Sequence, residues 1–203
     1  MEKERLVRKF DRQAVRYDRS REQRALGAWR ADLLRDARGH VFEAAVGAGA
    51  NFPFYRNTEV TLTAVDFSPA MVQTATQAAR RYGIEANIYQ HDLETLDFPD
   101  QSFDTIVSTL SLCGYEDPVA VLRKFNRWCK IEGQILLLEH GTSSFYGLKL
   151  LQHAINPLFR SMSGCNLNRD TLSLIAQSPL VIASSERHFY GIMHLIRAKP
   201  GPG

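Results

Sequence analysis

The chain has 203 residues, 44% of them hydrophobic and 23% charged, which suffices for one sizeable core and is short for two full domains. The net charge of +3 is unremarkable, but residues 1–38 carry twelve Lys or Arg against seven Asp or Glu, so an acidic partner is expected for that arm. Cys113, Cys129 and Cys165 lack C-x-x-C spacing and any neighbouring ligand cluster, so no metal site is expected and a reducing cytoplasm fits. The opening Met1-Glu2-Lys3-Glu4-Arg5 lacks the apolar run of a signal peptide, and no later run is long enough to span a bilayer. The expectation is a soluble cytoplasmic protein, at most peripheral to a membrane.

From Glu2 to about Arg38 apolar residues recur at helical spacing (Leu6, Phe10, Ala14, Tyr17, then Ala25, Leu26, Trp29, Leu33, Leu34), with a break near Tyr17–Ser20. Strand-type runs follow at His40–Val46, Val60–Asp66, Glu85–Gln90, Asp104–Thr109 and Gln134–Glu139, alternating with helices of which Pro69–Tyr82 and Pro118–Cys129 are the clearest. Such alternation predicts a doubly wound, mostly parallel α/β sheet. Residues 145–178 read as mostly helical, Leu180–Arg187 and Gly191–Arg197 as a closing antiparallel pair, and the Pro200–Gly203 tail as disordered.

Val41–Asn51 is an apolar strand running into a small-residue turn, where Gly47 and Gly49 let backbone N–H groups approach a ligand. A dinucleotide fingerprint needs glycine at 52, where the chain has Phe52, and no Tyr-x-x-x-Lys pair supports a nicotinamide-dependent reductase. Glu43 suits a ligand with a cationic amino group rather than a phosphate. Asp66 ends the second strand and is placed to accept both ribose hydroxyls, ahead of a helix with Ser68 as N-cap and Pro69 at its first position. Phe67 and Met71 are candidates to flank an adenine, or else are core, and Asp92 after the third strand can accept from an adenine amino group. The three acids outline a nucleoside with a positively charged end.

The run Glu43-x-x-x-Gly47-x-Gly49, then Val65-Asp66-Phe67-Ser68-Pro69-x-Met71, then His91-Asp92-Leu93, then Phe98-Pro99-Asp100-x-Ser102-Phe103-Asp104, resembles the class I methyltransferases, especially those acting on ubiquinone precursors and phospholipids. The resemblance covers roughly residues 10–140. It implies a Rossmann-like seven-stranded sheet with an antiparallel C-terminal strand, and S-adenosylmethionine as cofactor, with S-adenosylhomocysteine as product. It also implies a cofactor site of Glu43, Ala45, Gly47, Gly49, Asn51, Asp66, Phe67, Met71, Asp92 and Leu93, with Thr109 and Leu110 beside the reactive methyl. Ala45 stands where the family usually has glycine, and fits there only with a negative φ.

One domain over 1–199 follows: a helical lid or arm over 1–38, a cofactor-binding core over 39–140 and an acceptor side over 141–199. His140 at the end of the fifth strand is the candidate general base, ahead of His153 and Tyr17. A strand-end histidine is otherwise a hydrogen-bonding residue. Cys113 and Tyr115 fall where the family passes the methyl group. Leu138-Glu139-His140 with a later Gly-Cys-x-Leu-Asn-Arg-Asp is similar to small bacterial and animal thiol methyltransferases, and implies Tyr17, Cys113, Tyr115, His153, Asn166 and Arg169 on the acceptor side. Asn168 reads chiefly as an N-cap. The acid-or-amide-Pro-Pro-aromatic signature of nucleobase methylation is missing, which sets nucleic acid aside as a partner. A small-molecule or lipid-like acceptor, methylated at sulfur, nitrogen or oxygen, is expected, and a scaffold that binds the cofactor without turnover is the alternative. The basic N-terminal helix either covers the site, lies on an anionic membrane, or is a solvated face on a docked helix; oligomeric state is not legible.

Overall fold

The computed structural model describes residues 3–19 and 24–202, with side chains described for 4–14 and 26–202. The chain order is α1 (Lys3–Arg19), α2 (Arg24–Leu34), β1 (Gly39–Ala44), a single 3-10 turn (Phe52–Phe54), β2 (Val60–Asp66), α3 (Pro69–Tyr82), β3 (Ala86–Gln90), β4 (Phe103–Thr109), α4 (Pro118–Trp128), β5 (Cys129–His140), α5 (Tyr146–Ser163), α6 (Thr171–Ala176), β6 (Val181–His188) and β7 (Met193–Lys199). The sheet runs β3-β2-β1-β4-β5-β7-β6. Strands β1 to β5 pair in parallel, and β7 lies antiparallel between β5 and β6.

The central strands β1, β2, β4, β5 and β7 are buried on both faces, as a sheet covered by helices requires, whereas the edge strands β3 and β6 are largely exposed. In β5, Leu136 and Leu138 join the layer of Leu33, Leu34 and Ala75, while Ile135 and Leu137 join that of Phe125 and Trp128, so alternation along one strand feeds both cores. Arg197 of β7 docks α2, with Nε 2.7 Å from Asp36 and Nη2 3.0 Å from Asp32. Strand order reverses between β1 and β4, so the carboxyl ends of β1, β2, β4 and β5 share one edge, the place where such sheets bind ligands. No helix among the described residues is long and apolar enough to cross a membrane.

Four local expectations are corrected. β5 begins at Cys129, well before Gln134. The chain end is tied rather than loose at residues 200–202: Gly201 N–H donates to Asn126 Oδ1 at 2.8 Å, and Gly201 O accepts from Asn126 Nδ2 at 3.2 Å. Helix α6 starts at Thr171 under Asp170, whose carboxylate accepts from Ser173 N–H at 3.2 Å, so Asn168 is not the cap. Finally, Ala45 has φ +50°, not negative. The turn imposes it, because Val46 N–H crosses to Val65 O at 2.9 Å directly after β1 ends.

A left-handed alanine costs about 1–2 kcal/mol, partly offset in a glycine variant by the greater freedom of its unfolded chain. Ala45→Gly should therefore raise the unfolding free energy by about 0.5–1 kcal/mol in urea titration. A loss of stability would contradict the assigned turn.

Candidate functional site

The centre of the strand-end edge is Asp66, about 5% exposed. One carboxylate oxygen accepts from Gly47 N–H and the other from Ser68 N–H, both at 2.9 Å, joining the β1 turn to the head of α3. Burial pushes its pKa up to about 6, against the opposing backbone bonds. Each oxygen keeps a second acceptor direction for a hydroxyl. Gly47 has φ +55° and a Cβ placed there meets nothing within 4 Å, whereas a Cβ on Gly49 falls 2.7 Å from the Phe52 ring. The open side of the turn is thus above Gly47, a cradle into which a nucleoside fits beside Asp66. Phe52, where a dinucleotide site needs glycine, is buried beneath the turn.

Glu43 lies deeper than its expected role as a direct partner of the cofactor's ammonium. Its oxygens accept from Asn51 Nδ2 at 2.9 Å and the Tyr55 hydroxyl at 2.7 Å, and burial pushes its pKa up to about 7. Asn51 in turn donates to Thr109 Oγ1 at 3.2 Å and accepts from Arg30 Nε at 3.0 Å. Glu43 therefore holds Asn51 against the end of β4. Tyr55 and Arg30 were not legible as site residues, since nothing in their spacing links them to Glu43.

Helix α1 covers the turn, in keeping with a lid. Ala14 and Phe10 pack with Ala48 and Met71, and the Phe10 and Phe67 rings meet edge-on at 5.3 Å. Asp11 accepts from the Ser68 hydroxyl at 2.5 Å and Ala70 N–H at 3.3 Å, a second clasp on α3 that sequence reasoning missed. Met71 is fully buried core rather than an open adenine wall, and Leu93 is buried with the opposite layer. Phe67, Gln90, His91 and Asp92 line a cleft of about 430 Å³ with Glu4 and Val7 of α1.

The segment after β4 is held by an acid that the sequence reading passed over. Glu139, fully buried, accepts from the Ser108 hydroxyl at 2.7 Å, from Ser111 N–H at 3.0 Å and from Leu112 N–H at 3.2 Å. Burial pushes its pKa up to about 7, opposed by these bonds. They bend the chain at Leu110, whose φ is +56° and whose N–H donates to Leu138 O at 2.8 Å. Asn166 and Arg169, expected as acceptor walls, clamp the same segment: Asn166 donates from both its nitrogens to Cys113 O at 3.0–3.1 Å, and Arg169 donates to Leu112 O and Tyr115 O.

Those clamps bring Cys165 to Cys113, with sulfurs 3.1 Å apart, and His140 to the same spot. The Cys113 S–H donated to Cys165, together with the His140 imidazole, pulls the Cys165 pKa down to about 5. His140, expected as a free base, thus has a thiol partner. His153 is exposed on α5, its Nδ1 3.3 Å from Asn168 Nδ2, and stands apart from this group. The side chain of Tyr17 lies outside the described residues.

Glu139→Leu would leave the Ser111 and Leu112 N–H donors without an acceptor. Leaving such groups unpaired costs about 1–3 kcal/mol each, so the variant, with two of them, should lose about 2–6 kcal/mol in chemical denaturation, and unchanged stability would contradict the clamp.

Residues 42–137 match the model of the family described as "Methyltransferase domain". Phosphatidylethanolamine N-methyltransferase of Cereibacter sphaeroides is 33% identical over 104 residues, which cover 50% of this chain and 51% of that one. Thiol S-methyltransferase TMT1B of Rattus norvegicus is 30% identical over 136 residues, covering 64% and 55%. The chain spans about half the length of these curated relatives. Geranyl diphosphate C-methyltransferase from Streptomyces coelicolor A3(2), solved with S-adenosylhomocysteine, has the same fold at TM-score 0.71 and 15% identity, over 87% of this chain and 77% of that one. The family match identifies residues 42–137 as a methyltransferase domain of the class I, S-adenosylmethionine-dependent kind.

Proposed function

We propose that the chain methylates an amphiphilic small-molecule or lipid-like acceptor that carries an anionic group, at sulfur, nitrogen or oxygen. The observation that supports this best is a second cleft, about 810 Å³, between α1 and α5, lined by Arg5, Lys9, Arg12 and Arg160 together with Pro157 and Met162. Lys9 Nζ is shielded from water without a hydrogen-bond partner among the described residues; burial pulls its pKa down, opposed by the charge of Cys165. A cationic cleft whose Lys9 is within electrostatic reach of Cys165 suits an anionic acceptor.

The cofactor supplies an electrophilic methyl on a sulfonium. Transfer spreads charge rather than creating it, so the protein's task is chiefly to hold acceptor and donor in line. Asp66 would accept the ribose hydroxyls, Asp92 and Phe67 would hold the adenine end, and Asn51, Thr109 and Leu110 the methionine end. Glu43 positions Asn51, and Glu139 positions Leu110 through its bonds to Ser111 and Leu112.

Calorimetric titration at moderate salt with S-adenosylmethionine, S-adenosylhomocysteine, NAD and NADP tests the class. Binding of the first pair alone is expected; binding of the dinucleotides alone, or of nothing, would overturn the reading.

The acceptor's lipid-like character has a second support. On α5, Leu151, Leu158 and Met162 are more than half exposed, and Ile155 and Phe159 extend the same stripe beside the basic cleft. Apolar side chains flanked by arginines suit a monolayer of anionic lipid, so α5 joins α1 as the membrane-facing element of a peripheral, cytoplasmic enzyme. Sedimentation with phosphatidylglycerol vesicles should exceed that with phosphatidylcholine and fall at least several-fold in Leu158→Glu/Met162→Glu. Equal sedimentation of the double variant would contradict this surface.

A further inference from the structure

We propose that Cys113, His140 and Cys165 form a three-ligand site for a thiophilic divalent cation, Zn2+ in the first instance, with a fourth position left for a water or a heteroatom of the acceptor. One potential ligand atom from each of the three side chains lies within 4.8 Å of the other two. Two sulfurs, one imidazole and one exchangeable position are the donor set of a catalytic rather than a structural zinc centre. Residue spacing conceals the group, because its members come from the loop after β4, the end of β5 and the turn after α5.

Each ligand is held by hydrogen bonds outside the group, as metal ligands need to be. Cys113 O accepts twice from Asn166, at 3.1 and 3.0 Å, which ties its loop to the residue next to Cys165. Arg169 donates to the carbonyls of Leu112 and Tyr115 on either side of Cys113. His140 O accepts from the Thr171 hydroxyl at 3.1 Å, and Cys165 N–H donates to the Ser163 hydroxyl at 3.1 Å. The hydroxyl of Tyr115 is buried on the same side of the sheet end.

The sulfurs now stand 3.1 Å apart. A tetrahedral ion with Zn–S bonds of about 2.3 Å sets two sulfurs about 3.8 Å apart, so the pair opens by roughly 0.7 Å on binding. A thiol acceptor in the fourth position would lose its proton to solvent and face the donor as a thiolate. This last step rests on the methyl-transfer reading, whereas the cation site does not.

The test is titration of the full chain, reduced, freed of metal with a chelator and kept anaerobic, with Co2+ and then Zn2+. One equivalent of Co2+ should produce thiolate-to-cobalt charge transfer and the visible bands of a four-coordinate ion, and one equivalent of Zn2+ should remove both. Cys113→Ala, Cys165→Ser and His140→Ala should each lower cobalt affinity on the order of a hundredfold, while Cys129→Ala leaves the spectrum unchanged. Cooperative urea unfolding of each variant separates ligand loss from misfolding, and calorimetry with S-adenosylmethionine scores the methyltransferase reading separately. Absent charge transfer, a spectrum indifferent to Cys113 and Cys165, or a Cys113–Cys165 disulfide with no metal uptake after reduction would each overturn the proposal.

Discussion

The carboxylate of Asp66, buried at the end of β2, is the interaction on which the site depends. By accepting from Gly47 on one side and Ser68 on the other, it sets the distance between the β1 turn and the first turn of α3. A nucleoside laid across that gap finds backbone beneath it and an acid at its edge. Burying an unpaired carboxylate is costly, which makes its two N–H partners a condition of the fold as well as of the site.

The same device recurs along the edge. Glu43 at β1 secures Asn51 and Tyr55, and Glu139 at β5 secures Ser108, Ser111 and Leu112. The ends of β1, β2 and β5 are rigid because these strands are buried on both faces, so an acid on each becomes a fixed post for the loop beside it. Two of these loops adopt left-handed residues that are not glycine, Ala45 and Leu110. Local strain of this kind persists where surrounding bonds over-determine the backbone.

Much of this was legible in the residues. The apolar strand runs and the cap at Ser68 are written locally, and the structure places strands and helices close to where those signals put them. Asp66 and the glycine turn were legible because both close strands of evident apolar pattern. The functions of Asn166 and Arg169 were not, since their bonds run more than fifty residues back to the loop after β4. Glu139 was hidden by its setting: an acid inside an apolar run shows its purpose only when its partners arrive from β4. The meeting of Cys113, His140 and Cys165 is likewise a product of topology, because three segments distant in sequence converge at one edge. Ala45 is the instructive error. Its intrinsic preference predicts a negative φ, and the cross-strand bond from Val46 to Val65 overrides it.

A crystal structure of the complex with S-adenosylhomocysteine tests the central claim most directly. The account predicts both ribose hydroxyls on the Asp66 carboxylate, the Gly47 and Ser68 bonds retained, the adenine between Phe67 and Asp92, and the sulfur directed toward Leu110 and the Cys113 side of the sheet. A nucleoside seated elsewhere, or an Asp66 that touches only Gly47 and Ser68 with the ligand bound, would contradict it.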